Sequence, residues 1–85
     1  MIKKKMATIP LRDHVQRTIR RYLKDMAGTE PEHMYQRLLG EIEPPLIEEV
    51  LRYTGGNQSR AARILGMTRN TLRERLRRYR IKLPA

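Results

Sequence analysis

The spacing of apolar residues predicts an all-α chain of four helices, the last two forming a helix-turn-helix. Three observations carry that expectation. Apolar side chains recur three and four residues apart along most of the 85 residues, the period of one helix face. No stretch alternates apolar and polar residues as a half-buried strand does. The breaks between periodic stretches hold residues that end one helix and start another: Gly28 before Thr29, Gly55-Gly56 before Asn57, and Gly66 before Thr68.

The first helix is expected from Pro10 to about Ala27. Proline suits a first helical turn and glycine a stop. Leu11, Val15, Ile19, Tyr22, Leu23 and Met26 share one face of it, with Arg12, Arg17, Arg20, Arg21 and Lys24 largely elsewhere. Thr29-Glu30-Pro31 reads as a turn opening the second helical stretch, with an acidic group suited to its start. There Met34, Tyr35, Leu38, Leu39, Ile42, Leu46, Ile47, Val50, Leu51 and Tyr53 keep the helical period across Pro44-Pro45. Proline removes an N–H and clashes one turn back, so either two helices meet here or one long helix kinks. The stripe stays in phase on both sides, which favours the kinked helix. Asn57 is a suitable N-cap for a helix from Gln58 to Leu65, and Thr68 for a last one from Arg69 to about Tyr79 or Arg80.

Composition sets the limits. At this length one domain is the ceiling, and the core is thin, because Phe and Trp are absent. Small chains usually gain stability from disulfides, metals or association. The chain has no cysteine, and His14 and His33 lie on different expected elements without a second ligand nearby. Neither a disulfide nor a metal is therefore expected, and no cofactor. A second copy of the chain is the expected source of buried area. No apolar run approaches the ~20 residues of a membrane span, and Met1 to Lys5 does not lead into a signal-peptide apolar region. The default is a soluble intracellular protein. Glu48 and Glu49 splay apart on a helix with no nucleophile beside them, and no glycine-rich phosphate loop is present. Enzyme activity has no visible basis.

The net charge is +10 and unevenly placed. Residues 1–27 hold 8 basic against 2 acidic groups, residues 28–56 hold 2 against 6, and residues 57–85 hold 9 against Glu74 alone. That pattern suggests a polyanion-binding C-terminal third attached to a body with another task.

Pattern within that third narrows the polyanion. Ala62 stands four residues before Gly66, small enough for the following helix to cross closely. Ile64 and Leu65 are expected under the turn. Leu72, Leu76 and Tyr79 form one inward stripe, while Tyr22, Tyr35 and Tyr53 also read as core. Asn70, Glu74 and Arg77 then point away from the core, flanked by Arg73 and Arg78. Such a face suits a major groove, with Arg69, Asn70 and Arg73 near its leading half. Arginine bonds guanine bidentately and asparagine bonds adenine. Ser59, Arg60 and Thr71 suit phosphate contacts, which orient without specifying sequence. A membrane-surface helix needs a broader apolar face, and an RNA module more often offers stacking aromatics. The alternative is a basic helical interaction module that binds RNA or an acidic protein partner.

With these residues in view, the sequence resembles the Fis family (factor for inversion stimulation) of bacterial nucleoid-associated DNA-binding proteins. The resemblance covers roughly residues 10–82. It rests on Pro10-Leu11-Arg12-Asp13, on Glu43-Pro44-Pro45-Leu46, on Tyr53-Thr54-Gly55-Gly56-Asn57-Gln58-Ser59-Arg60-Ala61-Ala62, and on Leu65-Gly66-Met67-Thr68-Arg69-Asn70-Thr71-Leu72-Arg73. The last two segments are also similar to the C-terminal domain of NtrC-type regulators; residues 10–53 favour Fis.

The resemblance implies an intertwined homodimer with a four-helix core. It divides the chain into a flexible basic segment at 1–9, a helical dimerisation region at 10–54 kinked at 44–45, and a helix-turn-helix DNA-binding region at 57–82. In the family the two recognition helices lie closer together than one turn of straight DNA, so the duplex is bent and deformability contributes to specificity. By position, Arg69 would read a base, with Thr68 and Asn70 facing the groove. Asn57, Gln58, Ser59, Arg60 and Thr71 would hold phosphates, and Arg73, Arg77 and Arg78 would serve backbone and flanking DNA. Nucleoid organisation and transcriptional regulation in the cytoplasm follow from the same resemblance. Thr68 stands where enteric members carry Asn, Glu74 at a typically basic position, and Gly55 in place of a basic residue. Only nine residues precede Pro10; enteric members have a longer β-hairpin arm that activates recombinases, so a recombinase partner is not expected.

Overall fold

A computed structural model describes residues 10–84, and the basic segment expected at 1–9 lies outside the described residues. The chain forms four α-helices: α1 (Arg12–Asp25), α2 (Met34–Tyr53), α3 (Gln58–Leu65) and α4 (Arg69–Arg78). No strand occurs among the described residues, and no helix there is long and apolar enough to cross a membrane. The helices belong to two compact units that divide between Glu32 and His33, α1 in the first and α2 to α4 in the second.

In the first unit, α1 begins and ends two residues inside the expected bounds and buries no side chain fully. Val15, Ile19, Tyr22 and Met26 are half-buried, whereas Leu11 and Leu23 on the same stripe are exposed. Helix α1 has no side-chain cap at its start and no buried anchor along it, and it is shorter than its apolar pattern.

The second unit opens later than the turn at Thr29-Glu30-Pro31 suggested. His33 takes a left-handed conformation and α2 starts at Met34, with no side-chain cap and no acidic residue in its first turn. From there a single helix runs through Pro44 and Pro45 to Tyr53. The prolines withdraw the N–H groups that a regular helix would direct to the Gly40 and Glu41 carbonyls. What holds the far half in place is burial: Ile47 and Leu51 are almost wholly enclosed.

The turns that follow are set by backbone chemistry. At the end of α2, Gly56 N–H donates to the Leu51 carbonyl (2.9 Å) and Gly55 N–H to that of Arg52 (3.2 Å). At the end of α3, Met67 N–H donates to the Ala62 carbonyl (3.0 Å) and Gly66 N–H to that of Arg63 (3.2 Å). Both are Schellman closures, which need a left-handed residue after the helix; Gly55 at φ 64° and Gly66 at φ 78° supply it. Buried Thr54 braces the first turn, its hydroxyl 3.2 Å from both the Leu51 and Asn57 carbonyls. The last helix closes in the same way with Arg80, at φ 53°, in the glycine position.

Helix α3 packs on α2 and α4 packs on α3. Ile47, Leu51, Ala61, Ala62 and Leu72 form the core, with Val50, Leu65, Met67, Leu76 and Ile81 against it. Ala62 is buried as its spacing to Gly66 predicts, and fully burying Leu51 or Leu72 contributes about 2 kcal/mol each. Three expectations fail within this unit. Ile64 lies 49% exposed, so Leu65 alone sits under the turn. Tyr35 and Tyr53 are 69% and 71% exposed rather than core. Periodicity placed all three beside buried neighbours, but the short helices cover only the centre of each stripe.

Candidate nucleic-acid interface

The N-terminus of α3 is built by Asn57, whose Oδ1 accepts from the Arg60 N–H (3.0 Å). This cap leaves the Asn57 amide nitrogen and the exposed Ser59 hydroxyl facing solvent beside it. Gln58 is half-buried, and its Oε1 is enclosed without a hydrogen-bond partner. The Arg60 guanidinium lies over the Tyr53 ring, 5.3 Å from its centroid. That contact accounts for a tyrosine at the surface and holds the cation near the start of α3.

Thr68 caps α4 in the same manner. Its Oγ1 accepts from the Thr71 N–H (3.0 Å) and donates to Thr71 Oγ1 (2.9 Å). The Thr68 hydroxyl is thereby spent within the cap, while the Thr71 hydroxyl keeps its own hydrogen free to donate. Beyond the cap, Leu72 turns inward and is wholly buried. Arg69, Asn70, Arg73 and Arg77 are all exposed. Among the described residues none of these three arginines, nor Arg60, stands within salt-bridge distance of a carboxylate. A row of unneutralised guanidiniums around one asparagine is an anion-seeking, hydrogen-bond-donating surface.

Arg78 differs from them. Its Nη2 is 3.0 Å from Glu74 Oε2, one turn back, while Arg75 Nη1 engages the other oxygen of Glu74. Burial pushes the Glu74 carboxyl up, but the bonds and charges of Arg75 and Arg78 outweigh it and hold it below the ordinary carboxylate value. The negative charge at this position is thus answered by its own helix, and Arg78 is occupied in doing so.

Sequence reasoning missed a second cluster. Tyr79 donates its hydroxyl to Glu43 Oε1 (2.5 Å), and Arg75 Nε lies 3.3 Å from the same oxygen. The hydrogen bond to Glu43, with burial second, holds the Tyr79 phenol above its ordinary pKa. A signal for this existed: Arg75 stands three residues after Leu72 and four before Tyr79, on the edge of the inward stripe. An arginine there needs an acidic partner across the packing, and Glu43 is that partner.

A family model described as bacterial regulatory protein, Fis family, matches residues 38–79. Over 70 residues, 82% of this chain, the sequence is 46% identical to DNA-binding protein Fis of Mannheimia haemolytica, covering 71% of that protein. It is 44% identical over 70 residues to DNA-binding protein Fis of Glaesserella parasuis serovar 5, covering 71% of it. It is 50% identical over 70 residues to a putative Fis-like DNA-binding protein of Xylella fastidiosa strain Temecula1, covering 78% of it.

Proposed function

The chain belongs to the Fis family of bacterial regulatory proteins, and from that premise we propose that it binds and bends double-stranded DNA as a homodimer. It acts on the nucleoid in the cytoplasm as an organiser and regulator of transcription. The observation that carries this reading is the exposed surface of α4, where Asn70 and Arg77 stand opposite wholly buried Leu72, with exposed Arg73 at their flank and exposed Arg69 in the first turn. A short helix held from behind by α3, and positive in front, fits a major groove. Arg69, first in the helix, reads a base, with Thr68 and Asn70 beside it facing the groove. Asn57, Ser59, Arg60 and Thr71 hold phosphates with Gln58 near them, and Arg73 and Arg77 take backbone and flanking DNA, which Arg78 joins only by giving up its pairing with Glu74.

The homodimer is supported by what α1 leaves uncovered. Its apolar stripe has no fully buried residue, and Leu11 and Leu23 are exposed, as are Tyr35 and Leu46 on α2. A second copy would cover such faces, with residues 10–54 as the dimerisation region, kinked at Pro44-Pro45, and residues 57–82 as the reader. Ile47 and Leu51 would then serve both parts. Recombinase stimulation is no part of the proposal.

Gel-shift titration tests the assignment. Arg69→Ala is expected to weaken binding by about 1–3 kcal/mol per site and to flatten sequence preference. Eight phosphate contacts per dimer give a log–log salt slope of roughly −7. Duplex DNA should outcompete single strands and tRNA; the reverse order, or an Arg69→Ala variant that binds like the wild type, refutes the assignment.

A further inference from the structure

The polar cluster at Glu43 joins two helices whose backbones do not pack on each other. Helix α2 meets α3, and α3 meets α4; α4 itself contributes one fully buried side chain, Leu72. Beyond Leu72 the apolar contacts, Leu76 and Ile81, are only partly buried, so the far end of α4 is held less firmly than its centre. Tyr79 lies seven residues beyond Leu72, about 10 Å along the axis, so 1 Å of slack there is about 5° of tilt. Glu43 removes the slack. One carboxylate oxygen takes the Tyr79 hydroxyl, a directional hydrogen bond, and lies 3.3 Å from Arg75 Nε one turn earlier, an ion pair without hydrogen-bond geometry, since that buried Nε has no hydrogen-bond partner.

The site is suited to that task. The side chains of Glu43 and Arg75 are only 19% and 25% exposed, unlike the 71% and 67% of the Glu49–Arg52 pair on the surface. Shielded charge-assisted bonds hold geometry better than exposed ones. Glu43 also directly precedes Pro44, where the backbone torsion is restricted. We propose that Glu43 is a positioning residue: through Tyr79 and Arg75 it sets the tilt of α4 against α2 and thereby the duplex shape that the protein selects. This rests on the reading of a DNA-bending dimer, in which α2 is the shared frame and the tilt of each α4 sets the angle between the two groove-facing helices.

The test uses the full chain and two conservative variants, Tyr79→Phe and Glu43→Gln. The first removes one hydroxyl and keeps the ring; the second keeps an acceptor and removes the charge facing Arg75. Affinity is measured for an A·T-centred duplex and for a random duplex across a salt series, with end-to-end energy transfer reporting the bend and thermal melting reporting the fold. Neither variant loses a phosphate-binding group, so random-duplex affinity and salt slope should stay at wild-type values. Preference for the A·T-centred duplex should fall about tenfold in Tyr79→Phe, with an altered bend, and by a smaller factor in Glu43→Gln. Wild-type preference and bend in both variants overturn the proposal. So does an equal loss on both duplexes with a lower melting temperature, which marks a merely structural contact. A wild-type protein that shows no preference and leaves the duplex straight refutes the bending reading itself, and the positioning role with it.

Discussion

Two stretches of this chain carry equally regular apolar stripes and end differently. Along α1 the stripe from Leu11 to Met26 has no wholly buried member. Along α2 and α4 the same spacing delivers Ile47, Leu51 and Leu72 into a core where each is at most 1% exposed. The local pattern is alike; what differs is whether the chain supplies its own partner surface. Ala61 and Ala62 let α3 approach closely enough to close the second unit, and α1 has no counterpart of that kind within its own unit. A helical stripe specifies a helix, while a cover must come from elsewhere.

Substitutions on the two stripes break or sharpen that contrast. Leu72→Ala should destabilise the fold by about 2–5 kcal/mol, by lost burial plus a cavity. In thermal or denaturant unfolding, that loss should stay the same from dilute to concentrated protein. Leu23→Ala should instead produce a loss that depends on protein concentration if, as proposed, a second copy covers it; a concentration-independent loss would place that cover within the chain. Next in size is the cap of the self-sufficient unit. Asn57→Ala should cost about 1 kcal/mol, read as a lower melting temperature. Smallest is a near-cancellation: Arg80 occupies the left-handed position that Gly55 and Gly66 fill in the other two closures. Arg80→Gly should lose that backbone strain and roughly balance it against unfolded-state entropy, for a net change within about 1 kcal/mol. A loss well beyond that would mean the Arg80 side chain makes a contact that outweighs its backbone.

Much of the C-terminal third was legible from residue order. Gln58–Leu65 has the bounds that its flanking Asn57 and Gly66 imply, and Arg69 begins the last helix directly after its cap. Caps and left-handed closures act through atoms within six residues of one another, so spacing alone encodes them. The exposure of Asn70, Arg73 and Arg77 follows likewise from the position of Leu72, whereas that of Arg69 comes from its place at the start of the helix. Ile64 and Tyr53 were misjudged because periodicity says which way a side chain points and not how far the neighbouring helix extends over it, and Tyr35 is not covered within the chain itself.

Other features depended on residues far apart in sequence. Whether the helix survives Pro44-Pro45 turned on burial of Ile47 and Leu51 against α3, which offsets the lost backbone bonds. The pairing of Glu43 with Arg75 and Tyr79 spans more than thirty residues, and no local pattern couples a carboxylate in one helix to a phenol in another. Short-range hydrogen bonding and helical period thus set where the helices lie and which residues face outward. Three-dimensional packing chose which stripes are enclosed and which charges meet, because those contacts are made only once α2, α3 and α4 have come together.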